Sequence, residues 1–418
     1  MRATISGRLR NAPRGVLAIA SAVVLLAACP AAAQGAQQKP TAIVSLGDSF
    51  ISGEGGRWQG NVDLAYSTTH DMYGTDRATV CGQAGCTKDP FAIYGNTYLD
   101  PTTGKENGCH RSDVAEIVSS GIAADRAVNL ACSGAVTDNV LPGYAGGKPF
   151  KGQQPQADAL RDLARTHEIK LIQLSIGGND LGFSGIIESC IKNYVAGPVG
   201  GYCWQKWDWE VEEKLAREVP DKIANVIDRI REVMRAAGQP DNSYTFALQS
   251  YPSPVPVAGN YRHPESWTGT LSDRYSPGGC PFFNQDTDWA RRRVVPGIAE
   301  MLEKVATRKG LFYLDLQWAF DGHEVCARNV RQARQGESLT HPVPDRDAEW
   351  MRFLSVGIFR PQGQKEESFH PDSYGQQALG NCLREFHRQT QATGYPEFEC
   401  LNRPGQGVAG MYLERLDQ

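Results

Sequence analysis

Five short runs of apolar and β-branched residues recur along the chain. They cover residues 41–46, 126–130, 169–175, 244–249 and 311–316. Runs of this length with few polar interruptions are typical of strands that are buried on both faces, as in a parallel sheet. Turns that contain glycine follow the first three runs, and a stretch rich in proline follows the fourth. The pattern therefore predicts five strands.

Longer stretches between these runs repeat apolar residues at helical spacing. They cover residues 155–166, 211–237, 289–309 and 373–388, and a further helix is predicted after Ser112. Residues 190–202 are expected to form a loop. Pro220 and Pro296 lie inside two of the stretches and predict a kink or a break there. Strands that alternate with helices favour a parallel sheet with right-handed crossovers and helices on both faces. We therefore expect an α/β fold, a three-layer α/β/α sandwich with a five-stranded parallel sheet.

The first 34 residues differ from the rest of the chain. Four arginines between Arg2 and Arg14 precede an apolar run at residues 16–28, and small residues follow at 31–33. The apolar run is short for a transmembrane helix, so residues 1–34 are interpreted as a secretory signal peptide. Residues 26–29 also resemble a bacterial lipobox, in which Cys29 would be lipidated. Release is favoured because Pro30 is unusual after a lipidated cysteine, and a lipid anchor on Cys29 is the alternative.

Residues 35–418 contain no internal repeat, low-complexity tract or linker, and we interpret them as a single domain. Long insertions are expected near residues 50–108 and 322–367. The net charge is -4 and no basic tract is present, which argues against nucleic acid as a partner. No segment of this part resembles an integral membrane helix. The expected partner is a small molecule, and the sequence leaves the oligomeric state unknown.

The chain has eleven cysteines, of which ten remain after the leader. An even number in an exported chain indicates disulfides. A zinc site would need paired short spacings, and Cys81 and Cys86 form the one close pair, so a metal site is disfavoured. The ten are Cys81, Cys86, Cys109, Cys132, Cys190, Cys203, Cys280, Cys326, Cys382 and Cys400.

Four polar segments carry the residue types that acyl transfer needs. Gly47-Asp48-Ser49 follows the first strand, Ser133-Gly134 the second, and Gly177-Gly178-Asn179-Asp180 the third, while His370 lies near the end of the chain. The carboxyl ends of parallel strands meet at one edge of a sheet, so the three loops converge there. A serine, a histidine and neutral N–H donors supply a nucleophile, a base and an oxyanion site.

In this order the segments resemble the four sequence blocks of the SGNH hydrolases, also called GDSL esterases and lipases. The resemblance covers residues from about 41 to about 390 and implies the flavodoxin-like fold of that family. It implies that Ser49 is the nucleophile and His370 the general base. The oxyanion hole would combine the backbone N–H groups of Ser49 and Gly134 with the side-chain amide of Asn179. The implied chemistry uses no metal and no cofactor.

The chain departs from the family at the third catalytic member. Family members commonly carry aspartate three residues before the histidine, and this chain has Glu367 there. The Glu367 carboxylate is a candidate to orient His370, although its extra methylene changes the reach. Some relatives instead use a main-chain carbonyl in this role. Both possibilities stay open at this point.

The resemblance also bears on the cysteines. Three spacings resemble the disulfides of related exported lipases, namely Cys109–Cys132, Cys190–Cys203 and Cys280–Cys326. Cys81–Cys86 and Cys382–Cys400 are the pairs that remain.

The sequence as a whole is interpreted as a secreted serine esterase or lipase that hydrolyses carboxylic esters through an acyl-enzyme. It resembles the exported actinobacterial lipases of the family, so an ester or lipid is the expected substrate. Two alternatives belong to other classes. One is a deacetylase of a sugar or glycosylated natural product, and the other is a noncatalytic binding module with the same fold.

Overall fold

A computed structural model describes residues 38–62, 75–83, 85–100, 102–355 and 363–416. The predicted signal peptide with Cys29 lies outside these residues, as do residues 63–74 and 356–362 of the predicted insertions. From Lys39 onwards the described residues belong to one compact unit.

A mostly parallel sheet of seven strands forms the centre of the part that the structure describes. The strand order is β4-β1-β5-β6-β7-β8-β9, and each neighbouring pair is parallel except β8 with β9. A separate antiparallel hairpin joins β2 and β3. The strands are β1 Thr41–Gly47, β2 Thr79–Gly82, β3 Gly85–Lys88, β4 Arg126–Asn129, β5 Glu168–Ser175, β6 Thr245–Gln249, β7 Phe312–Asp315, β8 Glu397–Asn402 and β9 Met411–Arg415.

The five predicted strands correspond to β1, β4, β5, β6 and β7, each within two residues of its predicted ends. The strand count of five is corrected to seven, because the chain adds β8 and β9 after the closing helix. These two strands lie at one edge of the sheet, and they combine buried positions with partly or fully exposed ones. By contrast, β6 in the interior of the sheet is buried along its whole length, as expected for a parallel strand covered on both faces.

Two groups of helices cover the sheet, so the three-layer α/β fold class is confirmed. In one group α9 packs against α5 and α11, and in the other α12 packs against α3. The helices are α1 Ser49–Ser52, α2 Phe91–Tyr94, α3 Glu116–Ser119, α4 Thr137–Val140, α5 Gln156–Thr166, α6 Gly178–Leu181, α7 Phe183–Val195, α8 Trp204–Glu213, α9 Val219–Ala236, α10 Asn284–Trp289, α11 Val295–Lys309 and α12 Ser373–Thr393.

The predicted breaks at the two prolines are absent. A π-helical turn, Lys214–Glu218, joins α8 to α9, and a second one, Ala290–Val294, joins α10 to α11. Pro220 and Pro296 are the second residues of α9 and α11, so each lies two positions after the end of a π turn. Proline lacks an N–H and crowds the preceding turn of a regular helix, and the wider π turn accommodates it. Each helix pair therefore continues across its proline.

Four disulfides are present among the described residues, and each joins a predicted pair. They are Cys109–Cys132, Cys190–Cys203, Cys280–Cys326 and Cys382–Cys400. Cys81 faces Cys86 in the register of the β2–β3 hairpin. The side chain of Cys81 lies outside the described residues.

Candidate active site

A tight turn at the end of β1 places Ser49 at the sheet edge. Gly47 has a φ of +140°, and a Cβ there would lie 1.8 Å from the carbonyl oxygen of Ser175 in the neighbouring strand. Glycine is therefore required where β1 turns into α1. The carboxylate of Asp48 accepts a hydrogen bond from the N–H of Phe50 (3.2 Å) and caps this short helix. Ser49 is thereby held at the start of α1.

His370 meets Ser49 directly. The distance from His370 Nε2 to Ser49 Oγ is 2.6 Å, and His370 Nδ1 lies 3.0 Å from the carbonyl oxygen of Ser368. A carbonyl oxygen accepts only, so the ring proton resides on Nδ1 and Nε2 is free to accept from the serine. Burial lowers the pKa of His370, and the negative charge of Glu54 opposes this effect. The imidazole is therefore neutral near pH 7 and able to act as a base.

Main-chain hydrogen bonds hold the histidine loop. The N–H of Arg352 donates to His370 O (2.8 Å), and the N–H of Phe369 donates to Arg352 O (2.9 Å). Phe369 has a φ of +60°, which is unusual for a residue with a side chain. This conformation turns the chain just before His370, and strain of this kind often accompanies functional loops.

The structure places Glu367 away from the histidine nitrogen. Its Oε2 accepts hydrogen bonds from Trp58 Nε1 and from the N–H of Gln364, both at 2.8 Å, and its Oε1 lies 3.9 Å from Arg57. The side chain turns back onto its own 3-10 turn, which the extra methylene of glutamate allows. The position beside Nδ1 holds the Ser368 carbonyl instead. Of the two orienting groups left open by the sequence, the main-chain carbonyl is the one in contact with His370.

The two other predicted oxyanion residues lie on loops that contact each other. Asn179 is the second residue of α6, and its side-chain amide donates to the carbonyl oxygen of Ala135 (2.9 Å). Gly134 precedes Ala135 with a φ of +84°. The Asp180 carboxylate accepts from the N–H and the hydroxyl of Thr137 at 3.0 and 2.7 Å, which joins the same loops again. An asparagine amide has two N–H donors, so one remains available to a ligand.

A narrow, mainly apolar cavity opens beside these residues. Ser49, Asn179 and His370 line it together. An adjoining apolar cavity shares four of its lining residues and extends toward Cys190, Phe282 and Trp289. Apolar side chains that line the first cavity are Phe50, Phe183, Ile187, Pro252, Pro254, Val295, Ile298 and Phe369. This arrangement can enclose an apolar chain next to the serine hydroxyl.

The sequence analysis missed Tyr251, which lies beneath the serine turn. Its hydroxyl donates to Asp48 Oδ2 (2.6 Å), and burial raises the pKa of Asp48 to about 7. The charge of Asp180 raises the Asp48 pKa further. Tyr251 comes two residues after β6, at the same sheet edge as the three predicted loops, and this position was the available signal.

A second missed group is a buried ion pair beside the histidine loop. His110 Nδ1 lies 2.6 Å from Glu54 Oε1, and both side chains are buried. His110 adjoins Cys109, whose disulfide to Cys132 fixes the loop that carries Gly134.

The described residues hold one cluster with the spacing of metal ligands, formed by Cys190, Cys203 and Asp286. Its two cysteines are joined in a disulfide, so their thiolates are not available to a metal. The same residues contain no helix that combines the length and apolar character of a membrane span.

Fold and site together define an α/β protein with a serine–histidine pair at the carboxyl edge of a parallel sheet. No protein-family model and no curated protein matches the chain. Among solved structures it is similar to an extracellular lipase from Streptomyces rimosus, at 18% identity over 84% of this chain and 99% of that chain, with a TM-score of 0.45.

Two further solved structures are similar over the same 84% of this chain and 99% of theirs. A phospholipase A1 from Streptomyces albidoflavus has 18% identity and a TM-score of 0.46. A carbohydrate acetylesterase from Sinorhizobium meliloti has 10% identity and a TM-score of 0.30.

Proposed function

We propose that this protein is a serine hydrolase of carboxylic esters, of the SGNH type, with Ser49 as nucleophile and His370 as general base. The observation that carries the proposal is the 2.6 Å contact between His370 Nε2 and Ser49 Oγ at the mouth of an apolar cavity. A base within hydrogen-bond reach of a serine hydroxyl is the requirement for nucleophilic activation.

In the proposed reaction, Ser49 Oγ attacks the ester carbonyl carbon while His370 Nε2 takes its proton. The oxyanion that forms accepts hydrogen bonds from the N–H groups of Ser49 and Gly134 and from the amide of Asn179. Collapse of this intermediate expels the alcohol, which takes the proton back from His370. Water then attacks the acyl-enzyme while His370 takes its proton. The bond from Ser49 Oγ to the acyl carbon breaks, the acyl group leaves as the carboxylic acid, and Ser49 Oγ takes the proton back from His370.

The lining of the cavity favours a substrate with an apolar acyl group over an acetylated sugar. Aromatic, aliphatic and proline side chains make up most of its lining, and the adjoining cavity extends the apolar surface. Burying methylene groups there stabilises the bound chain by about 0.8 kcal/mol each. We therefore propose an esterase or lipase that acts on esters with several acyl carbons.

We also propose that the protein is exported, because an arginine-flanked apolar leader precedes a domain with several disulfides. Release and anchoring through Cys29 are distinguished by the mass of the mature amino terminus. A measured mass that matches a chain starting after residue 34 supports release. A mass that matches a chain starting at a diacylated Cys29 supports the anchor.

Hydrolysis of nitrophenyl esters from acetyl to palmitoyl tests the proposed activity in wild type and Ser49→Ala. Loss of the nucleophile lowers kcat by about 10³-fold or more. Ser52→Ala is a matched control, because it removes a buried hydroxyl from the same helix and only the hydrogen bond of Ser52 to Ser49 O. A serine-directed phosphonate should label Ser49 in the wild type.

Wild-type rates in Ser49→Ala, or labelling of another serine, would overturn the proposal. The absence of any Ser49-dependent turnover would favour a binding module. Faster release of acetate from acetylated sugars than of any nitrophenyl acyl group would make the protein a deacetylase.

A further inference from the structure

A buried carboxylate lies between the serine helix and the histidine loop. Glu54 follows α1, has no exposed surface, and donates its N–H to Ser49 O (3.3 Å). The next residue, Gly55, forms a parallel bridge with Asp372. A Cβ on Gly55 would lie 3.0 Å from His370 O, so the two backbones are in close contact. Glu54 therefore belongs to a segment that runs directly along the catalytic loop.

His110 fixes this carboxylate. Its two ring nitrogens lie 2.6 Å from Glu54 Oε1 and 2.9 Å from Glu106 Oε1. The ring also stacks on Tyr94, with 5.2 Å between ring centroids. Burial opposes both charges, but the mutual hydrogen bond and charge outweigh it, so the pKa of Glu54 is lowered and that of His110 is raised to about 9. Glu54 is therefore ionised near pH 7.

Several groups face His370 from the surrounding elements. Burial lowers its pKa, and of the groups that raise it the charge of Glu54 acts most strongly. The carbonyl oxygens of Ser368 and Glu366 also raise this pKa, and the positive charge of His110 lowers it to a smaller extent. The Glu367 carboxylate is turned toward Trp58, whose indole N–H donates to it.

We propose that Glu54 is a positioning residue whose buried carboxylate stabilises the imidazolium that His370 becomes on taking the Ser49 proton. His110 holds the carboxylate in place, and the proton itself stays on His370 until the leaving alcohol takes it. This inference rests on the proposed function. In the family pattern, a carboxylate three residues before the histidine has this electrostatic role. In this chain Glu54, from the nucleophile loop, takes that role.

Glu54→Gln tests the inference through the pH dependence of hydrolysis. Removal of the anion lowers the pKa of His370, so the acid limb of kcat/KM moves to lower pH. The plateau kcat falls by about 10-fold because the imidazolium is less stabilised, while KM changes little. Glu106→Gln is the matched control, since it removes the other carboxylate on His110 and should leave the acid limb in place. Glu54→Asp should restore part of the plateau rate.

An imidazole Cε1–H titration by NMR gives a readout that does not depend on turnover. The His370 resonance is identified by its loss in His370→Ala. Its pKa should be lower in Glu54→Gln than in wild type and unchanged in Glu106→Gln. An unchanged His370 pKa in folded Glu54→Gln, or a reduced plateau rate without movement of the acid limb, would overturn the inference.

Glu54→Asp keeps the test decisive if Glu54→Gln does not fold. The shorter side chain withdraws the charge and should shift the His370 pKa in the same direction by less, and no shift would again overturn the inference. Failure of the proposed function would appear separately, as turnover that persists in Ser49→Ala.

Discussion

At the scale of single residues, the ring of His370 is oriented by a main-chain carbonyl. Ser368 O lies 3.0 Å from Nδ1. Because this oxygen belongs to the main chain, it is present whatever side chains the loop carries. The carboxylate of Glu367, one residue earlier, instead accepts a hydrogen bond from the indole N–H of Trp58. Burial raises the pKa of Glu367, which fits a carboxyl group that stabilises the loop.

Glu367→Gln should therefore leave kcat/KM within about 5-fold of wild type, whereas His370→Ala should cost about 10³-fold or more. Glutamine keeps a carbonyl oxygen for Trp58, so the loop should retain its conformation. Initial rates with one nitrophenyl ester compare the two variants, and circular dichroism monitors folding. A loss in Glu367→Gln as large as that in His370→Ala would make this carboxylate part of a catalytic triad.

Asn179→Ala should lower kcat by about 10²- to 10³-fold with little change in KM. The amide donates to Ala135 O with one N–H, and its second N–H is the one expected to meet charge that develops in the transition state. Steady-state kinetics separates the two constants. If KM rose at constant kcat, Asn179 would be a substrate-binding residue.

At the scale of elements, five of the seven strands are predictable because each contains a short run of apolar residues, and three of them, β1, β4 and β5, lead into turns that contain glycine. Those turns carry Ser49, Gly134 and Asn179, so the loops that converge could be read from local sequence. Glu54 and His110 could not, because their contact joins residues 56 positions apart through an irregular loop. Such pairing depends on tertiary packing and leaves no periodic signal.

One helix of the site was wrongly assigned. Residues 190–202 were expected to form a loop, yet α7 extends to Val195 and includes Cys190. Its apolar residues recur at the spacing of one helix face, Phe183, Ile186, Ile187, Cys190 and Tyr194. The disulfide from Cys190 to Cys203 suggested a loop, although it only ties the helix to the start of α8.

Because α7 directs Ile187 at both apolar cavities, Ile187→Trp should shorten the accepted acyl chain. The larger ring fills the space beyond the first carbons, so kcat/KM for octanoyl and longer esters should fall by about 10-fold or more. Acetyl ester hydrolysis should change by less than about 3-fold.

Ile191→Trp is the control, one turn further along α7 and outside both of these cavities. The measurement is a nitrophenyl ester series for the two variants. Equal losses for all chain lengths in Ile187→Trp would mean that this cavity does not hold the acyl group.

At the scale of the whole molecule, a buried polar network connects the site to the sheet and to the last helix. Glu116, at the start of α3, accepts hydrogen bonds from Gln173 on β5 (2.6 Å) and Gln249 on β6 (2.9 Å). Its N–H donates to the side chain of Gln376 on α12, which in turn donates to Phe50 O. Glu116 thus connects β5 and β6 through its carboxyl group and α12 through its backbone N–H.

Burial raises the pKa of Glu116 to about 7, from an ordinary value of 4.5. The folded chain therefore keeps a proton that the unfolded chain releases above pH 4.5. The stability that this group contributes is complete below pH 4.5 and is lost as the pH rises through about 7. Glu116→Gln resembles the protonated form and does not titrate.

We expect the two proteins to have similar free energies of unfolding at pH 5, and Glu116→Gln to be more stable at pH 8 by an amount on the order of 2 kcal/mol. Urea unfolding at both pH values measures the difference. Asp48, Asp372 and Glu399 also have pKa values raised to between about 7 and about 8, but they act equally in both proteins and cancel in the comparison. Glu188→Gln, on the exposed surface of α7, should follow the wild-type pH dependence closely. A Glu116→Gln protein that lost stability between pH 5 and pH 8 as steeply as wild type would show that this carboxyl group is not protonated in the folded chain.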